Sequence, residues 1–442
     1  MTILYQISRW LVVIGIGLCL VSEAGSYLAL LLSATCWLVA DWRNHEMTLI
    51  KSWNTFAESL RTRQWWAWFV LIATAWIAEG LLAALVHGNT PRVSHLYKSL
   101  FILTAVVGYR VLPSFDRLFW RRLIVGALLG AGVASAAGLM QYKKGSFPME
   151  RLLMSEAEKT EKRHYRGQLY IPGTRIKAAT GPLRNRIKTS VTLVWSLALL
   201  AGLSVLAKTF TTRLALLLVA SILGCFSFFT FAKAGFGVSI LCLLGLIILE
   251  RIPSLRDLLG GVLAVAFTAG MAFVITTGVN YAPDVKAPIA LDKVSIRGFA
   301  WSHGVKVASA HPILGAGLGT YSRSSRAFFI DPELAQSYTV NSHCQHLTAW
   351  AEGGLIGVGV WLFLMALIGS AIQKSWRVPG RESDDGFRAK RIGMTFGLVG
   401  AFLLSFVHDF LFHPSVAALF WMTVGLAGYL ALNHHCDDSA RV

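Results

Sequence analysis

The chain has 442 residues, 55% of them hydrophobic and only 14% charged, with a mean hydropathy of +0.57. That balance excludes an ordinary water-soluble globular protein. A formal net charge of +18 must then sit in the breaks between apolar runs, and cysteines scattered inside those runs (Cys19, Cys36, Cys225, Cys242) exclude a disulfide scaffold or a cysteine zinc site.

The first apolar run lacks a cleavage-site pattern and a second follows at once, so it reads as a span and not as a removable signal. Runs long enough to cross the hydrocarbon recur at 3–22, 24–41, 66–86, 97–113, 123–141, 189–207, 214–231, 234–250, 258–278, 347–372, 393–411 and 414–432. None shows the alternation of a closed barrel. The expected fold is all-α and polytopic, with about twelve transmembrane helices. A large loop containing short helices lies between spans nine and ten. The chain then divides into helices one to five (1–141), a basic segment (142–188), helices six to nine (189–278), a loop suited to chemistry (279–346), helices ten to twelve (347–432) and a tail (433–442).

Loops 42–65, 114–122, 208–213, 251–257 and 373–392 are rich in Lys and Arg, and the span count puts them on one side. By the positive-inside rule that side is the cytoplasm, and both termini join it. Segments 142–188 and 279–346 fall on the other side. The first breaks the rule: it is dense in Lys and Arg, only partly offset by Glu150, Glu156, Glu158 and Glu161. Either a span is miscounted there, or the segment is a solvated loop, or it holds an anionic lipid headgroup or pyrophosphate. Arg184 and Arg186, at its junction with the next span, are the candidate anion-binding pair.

Three further candidates share that outer side. Lys233 lies in the turn F-A-K-A-G-F, Arg297 in S-I-R-G-F-A-W, and His343 in N-S-H-C-Q-H-L-T-A-W-A-E-G-G. An imidazole titrates near neutral pH and can take a proton from a hydroxyl. A guanidinium fork and an ammonium suit phosphate oxygens. A base with two cations fits group transfer from a phosphate-activated donor. Each residue alone is equally well a satisfied loop residue or, for Lys233, a snorkelling anchor. His346 reads as scaffold, and so does the pair His408-Asp409. No phosphate-binding loop, zincin helix or nucleophile elbow is present, and G-A-G-L-G at 315–319 lacks the strand context of a dinucleotide fingerprint. No cofactor, metal or nucleic-acid partner is expected.

His343 is followed by Leu347, Glu352, Gly354 and Gly357, and Arg297 by Trp301, His311, Pro312, Gly315, Gly317 and Gly319. In these two patterns the chain resembles the O-antigen ligases, part of a wider group with O-antigen polymerases and O-linked oligosaccharyltransferases. The resemblance covers the C-terminal half by motif and the N-terminal half by hydropathy only. It implies a multi-pass protein of the bacterial inner membrane with its active site, including the loop 279–346, on the periplasmic face. It also implies an inverting, metal-independent transfer of a glycan from undecaprenyl pyrophosphate to lipid A-core, with His343 as base and Arg297 on the pyrophosphate. Two positions depart from the pattern: Cys344 stands where many members have Asn, and Lys233 where they have Arg. A polymerase of the same group, a protein O-oligosaccharyltransferase and a transporter of anionic lipid or solute are the alternatives.

Overall fold

The structure is a computed structural model that describes residues 2–44, 64–89, 99–144, 186–229, 233–251, 293–328, 342–377, 384–409 and 413–432, with a few isolated positions between them. The described residues are helical, without strands. In chain order they form α1 (Thr2–Leu18), α2 (Glu23–Asn44), α3 (Trp65–Val86), α4 (Arg117–Lys144), α5 (Arg186–Leu206), α6 (Phe210–Phe229) and α7 (Lys233–Arg251). Then follow α8 (Lys293–Ala310), the short α9 (Tyr321–Arg326), α10 (Gln345–Trp376), α11 (Asp385–Leu404) and α12 (Pro414–Leu432). Six of these helices are long and apolar enough to cross a membrane, and Ile3–Leu18, Leu100–Ser114 and Phe210–Gly224 are shorter apolar segments. Such a set marks a membrane protein.

The hub is α12, which is 89% buried where other span-length helices are 33–56% buried. Around it the helices touch through small residues, as lipid-embedded bundles do, because packing replaces the hydrophobic drive between helices. Gly425 of α12 meets the backbone of Ala105, and Gly202 of α5 meets the carbonyl of Ala389 in α11. The outward faces keep large apolar side chains such as Leu85 (74% exposed) and Leu129 (65% exposed), which suits contact with acyl chains.

Two expected spans differ from a plain helix. Segment 97–113 is irregular: tight turns over Leu100–Thr104, a widened π-helical stretch over Val107–Val111 and another tight turn at Leu112–Ser114. Gly108 in its middle sits directly on the carbonyl of Met422, so the chain is pressed onto α12 where a side chain would hold it off. Segment 393–411 is displaced from the expected span, because α11 begins at Asp385 and stops at Leu404, and residues 405–409 leave the helix. The expected ninth span, 258–278, lies outside the described residues.

Neighbouring helices alternate in direction, and their contacts sort the helix ends into two sets. Gly138 in the last turns of α4 packs on Phe226 near the end of α6, and Gly235 at the start of α7 packs on Ser190 at the start of α5. Lys188 pairs with Glu23 at 2.5 Å, joining the starts of α5 and α2. The amide of Gln345 donates to the carbonyl of Ser405 at 2.8 Å, tying the start of α10 to the end of α11. All of these ends lie together, at what we term the His343 end. At the other end, Trp65 opens α3 against Gly428 of α12, and Lys208 pairs with Asp385.

Candidate functional site

His343 precedes α10 by two residues and is half-buried, with φ of 55°. Among the described residues it is the one non-glycine residue in the left-handed region, a conformation that costs an L-residue on the order of 1–2 kcal/mol. A buried hydrogen-bond chain holds the turn in place. Ser342 Oγ accepts from the Cys344 amide at 3.1 Å and donates to the Cys344 carbonyl at 2.7 Å. It also lies 2.8 Å from Thr348 Oγ1, which donates to Asp409 Oδ2 at 2.9 Å. Thus Asp409, read from sequence as part of an ordinary helix turn, is a buried anchor under the His343 turn (6% exposed). The signal that could have found it is a carboxylate inside an apolar stretch, which lipid tolerates only with a partner.

His346 is scaffold, as expected. Trp361 Nε1 donates to its Nδ1 at 2.9 Å, so the proton sits on Nε2, 2.5 Å from Ser405 Oγ. Cys344 is fully buried with Trp301 and Leu347, and burial pushes its thiol up to about 12, leaving it a neutral packing group.

The motif glycines explain themselves in space. α10 is broken at Gly354, where φ is 57° and ψ is −155°. The break frees backbone groups, and residues 312–317 satisfy them. The amides of Ala316 and Gly317 donate to the carbonyls of Ala351 and Glu352 at 2.9 and 2.8 Å. In return the amides of Leu355 and Ile356 donate to the carbonyls of Pro312 and Ile313 at 2.8 and 3.2 Å. Gly315 and Gly354 lie backbone to backbone in this seam, and both have positive φ. The same loop is fixed to α3, since the Leu318 amide donates to the Gly80 carbonyl at 2.8 Å. Gly304 of α8 packs on Leu347, and Tyr321 of α9 donates its hydroxyl to Ala300 at 3.1 Å. By these contacts the helix that carries Arg297 lies against the start of α10.

Of the expected site residues, Arg297 stands one turn before Trp301, which shares a buried cluster with Cys344 and Leu347 next to His343 in the chain. Lys233 and Arg186 are the first residues of α7 and α5, whose initial turns touch through Gly235 and Ser190. All three are helix positions at the His343 end. Arg184 and residues 145–182 of the basic segment lie outside the described residues, as do 279–292 and 329–341 of the loop. No protein-family model matches the chain, and no curated protein matches it.

Beneath the His343 turn is a cavity of about 90 Å³, lined by Glu79, Glu352 and Asp409 among apolar groups such as Trp76 and Trp421. Glu352 Oε1 accepts from the Tyr321 amide at 3.1 Å. Both carboxylate oxygens of Glu79 are buried without a hydrogen-bond partner among the described residues, and a Cβ on Gly353 or Gly357 would come within 3.0 Å of Oε2. Gly357 is therefore small because Glu79 occupies its space. Three carboxylates make this cavity hostile to a pyrophosphate.

Beyond α3 and α8, the rings of His87 and His311 lie 4.4 Å apart. Burial, and then the neighbouring His87, hold His311 below its usual 6.5. The unfolded chain takes up a proton that the folded one resists, so this corner loses stability as pH falls through about 6.5. A melting series from about pH 7 to about pH 5 should show a loss that His311→Gln reduces. An unchanged slope in the variant would assign the acid sensitivity elsewhere.

Proposed function

We propose that the protein is a lipid-linked glycan transferase, and that it acts as an O-antigen ligase carrying glycan from undecaprenyl pyrophosphate to lipid A-core. The observation that carries this reading is the turn at His343, held in a strained backbone by a buried chain of hydroxyls beside the helix bearing Arg297. Strain that the surroundings over-determine is a mark of functional positions. The N-terminal turns of α5 and α7 add positive helix-dipole ends and two cationic residues to the same end, a setting suited to phosphate.

In the proposed step, His343 removes the proton from the acceptor hydroxyl as its oxygen attacks the anomeric carbon of the donor glycan. The bond from that carbon to the pyrophosphate oxygen breaks, its electron pair leaving on undecaprenyl pyrophosphate. Attack opposite the leaving group inverts the anomeric configuration. Arg297 and Lys233 neutralise the charge that develops on the leaving oxygen, and Arg186 and Arg184 are proposed to bind the same phosphates. Chemistry of this kind draws its charge neutralisation from protein cations and needs no cofactor.

The topology belongs to the same reading. α7 ends far from His343 and α10 begins beside it, which supports reading the apolar run 258–278 as a ninth span. That gives about twelve spans with the His343 end periplasmic in a bacterial inner membrane. The opposite end carries Arg43, Arg117, Arg121, Arg122, Lys208, Arg251, Lys374 and Arg377, as a cytoplasmic face should. Cysteines introduced at positions 150 and 385 should then react with a membrane-impermeant maleimide from opposite sides. Same-side labelling would overturn the arrangement.

The function itself is tested with purified protein, lipid-linked glycan and one of two acceptors. Transfer to lipid A-core identifies a ligase. Transfer only to a second lipid-linked glycan identifies a polymerase, and transbilayer movement without bond formation a transporter.

A further inference from the structure

The end of the bundle away from His343 holds a second cavity of a different character. Its volume is about 1060 Å³, and its walls are apolar, with Ala127 of α4, Leu203 of α5 and Met422 of α12 among them. Small-molecule sites occupy roughly 300–1,000 Å³, so this is a binding volume and not a packing defect. An apolar hollow stays dry. Within a bilayer, what enters it is hydrocarbon.

The rim is charged, with cations in excess of carboxylates. Arg121, Lys208 and Lys390 line it together with Asp385. Asp385 is taken by Lys208 at 3.0 Å. The adjacent Asp384 caps α11, accepting the amides of Gly386 and Phe387 at 2.9 and 3.1 Å, and its charge also acts on Lys390. Neither Arg121 nor Lys390 makes an ion pair with a described residue. The Lys390 ammonium lies 5.2 Å from the centre of the Trp120 ring, and the Arg122 guanidinium 4.6 Å from that of Trp10. Cations laid on indoles are the usual furniture of the headgroup level of a bilayer. The apolar slot therefore opens where lipid phosphates lie.

We infer that this cavity binds an anionic phospholipid, with an acyl chain in the slot between α4 and α5 and the phosphate between Arg121 and Lys390. A zwitterionic lipid offers the chain without the net charge. Inorganic phosphate offers charge with nothing for the walls. The inference is independent of glycan transfer, since it concerns the opposite end of the molecule.

The test uses the full chain in vesicles containing phosphatidylglycerol with a photoreactive acyl chain, or phosphatidylcholine with the same chain. Cross-linked peptides are mapped by mass spectrometry. Phosphatidylglycerol should label peptides spanning residues 120–127 and 196–206 about tenfold more than phosphatidylcholine. Ala127→Trp should bring that labelling to background, and the double substitution Arg121→Glu with Lys390→Glu should remove the preference while keeping acyl labelling. Excess inorganic phosphate should leave the labelling in place. Equal labelling by the two lipids overturns the proposal, as does displacement by phosphate. Labelling that persists in Ala127→Trp, or cross-links showing residues 252–292 of the chain in the slot, also overturns it. If Ala127→Trp fails to fold, the charge variant still decides between the lipids.

Discussion

His343→Ala is expected to lower glycan transfer by about 10²–10⁴-fold, the range a positioned general base contributes. Membrane insertion and melting temperature should stay near those of the parent. The backbone at His343 complicates a single substitution, because φ of 55° strains alanine as it strains histidine. His343→Gly resolves this: it relieves the strain, fits the turn and still lacks the imidazole. Both variants should therefore be inactive, with the glycine form at least as stable as the parent. Transfer that survives in His343→Gly would show that the turn, and not the ring, is what the reaction needs.

The second large effect is structural. Gly354→Ala should destabilise the protein by about 3 kcal/mol or more, for two separable reasons. Its φ of 57° and ψ of −155° belong to a region essentially reserved for glycine. A Cβ there would also meet the backbone of Ile313 and Gly315, neither of which can swing aside. Gly359, five residues further along α10, has open space around it, so Gly359→Ala is the matched control and should be near neutral. Melting followed by tryptophan fluorescence measures both. A cysteine at the buried Ala316 should become reactive to maleimide in the Gly354 variant alone. Equal stability of the two variants would mean that the seam between loop and helix carries little energy.

The membrane-embedded helices were legible from hydropathy because a lipid-facing helix must be apolar nearly all round, and Leu85 and Leu129 are exposed where such a helix meets acyl chains. The packing of the start of α5 on that of α7, and of the start of α10 on the end of α11, sorts the helix ends, which hydropathy alone does not do. The motif glycines could be read as a pattern. Their meaning could not, since a glycine within an apolar run looks the same whether it permits helix contact, as Gly425 does, or breaks the helix, as Gly354 does. The difference lies in residues 312–317, distant in sequence. For the same reason the early end of α11 was hidden: Ser405 and Asp409 are held by Gln345, His346 and Thr348, which no local pattern near position 405 announces. The irregular segment at 100–114 is set by its contact with α12, again a long-range cause.

The seam between α10 and the loop has a consequence for how the protein matures. Gly354 lies ten residues into α10, about 15 Å along its axis at 1.5 Å per residue. An opened backbone at that depth costs several kcal/mol for each group left unsatisfied in hydrocarbon. Released from the translocation machinery by itself, α10 would therefore be continuous, with its own carbonyls bonded in the ordinary way. The break can form only once the glycine loop has come down onto α3 and offers amides and carbonyls in exchange. Assembly thus has an order, insertion first and docking second.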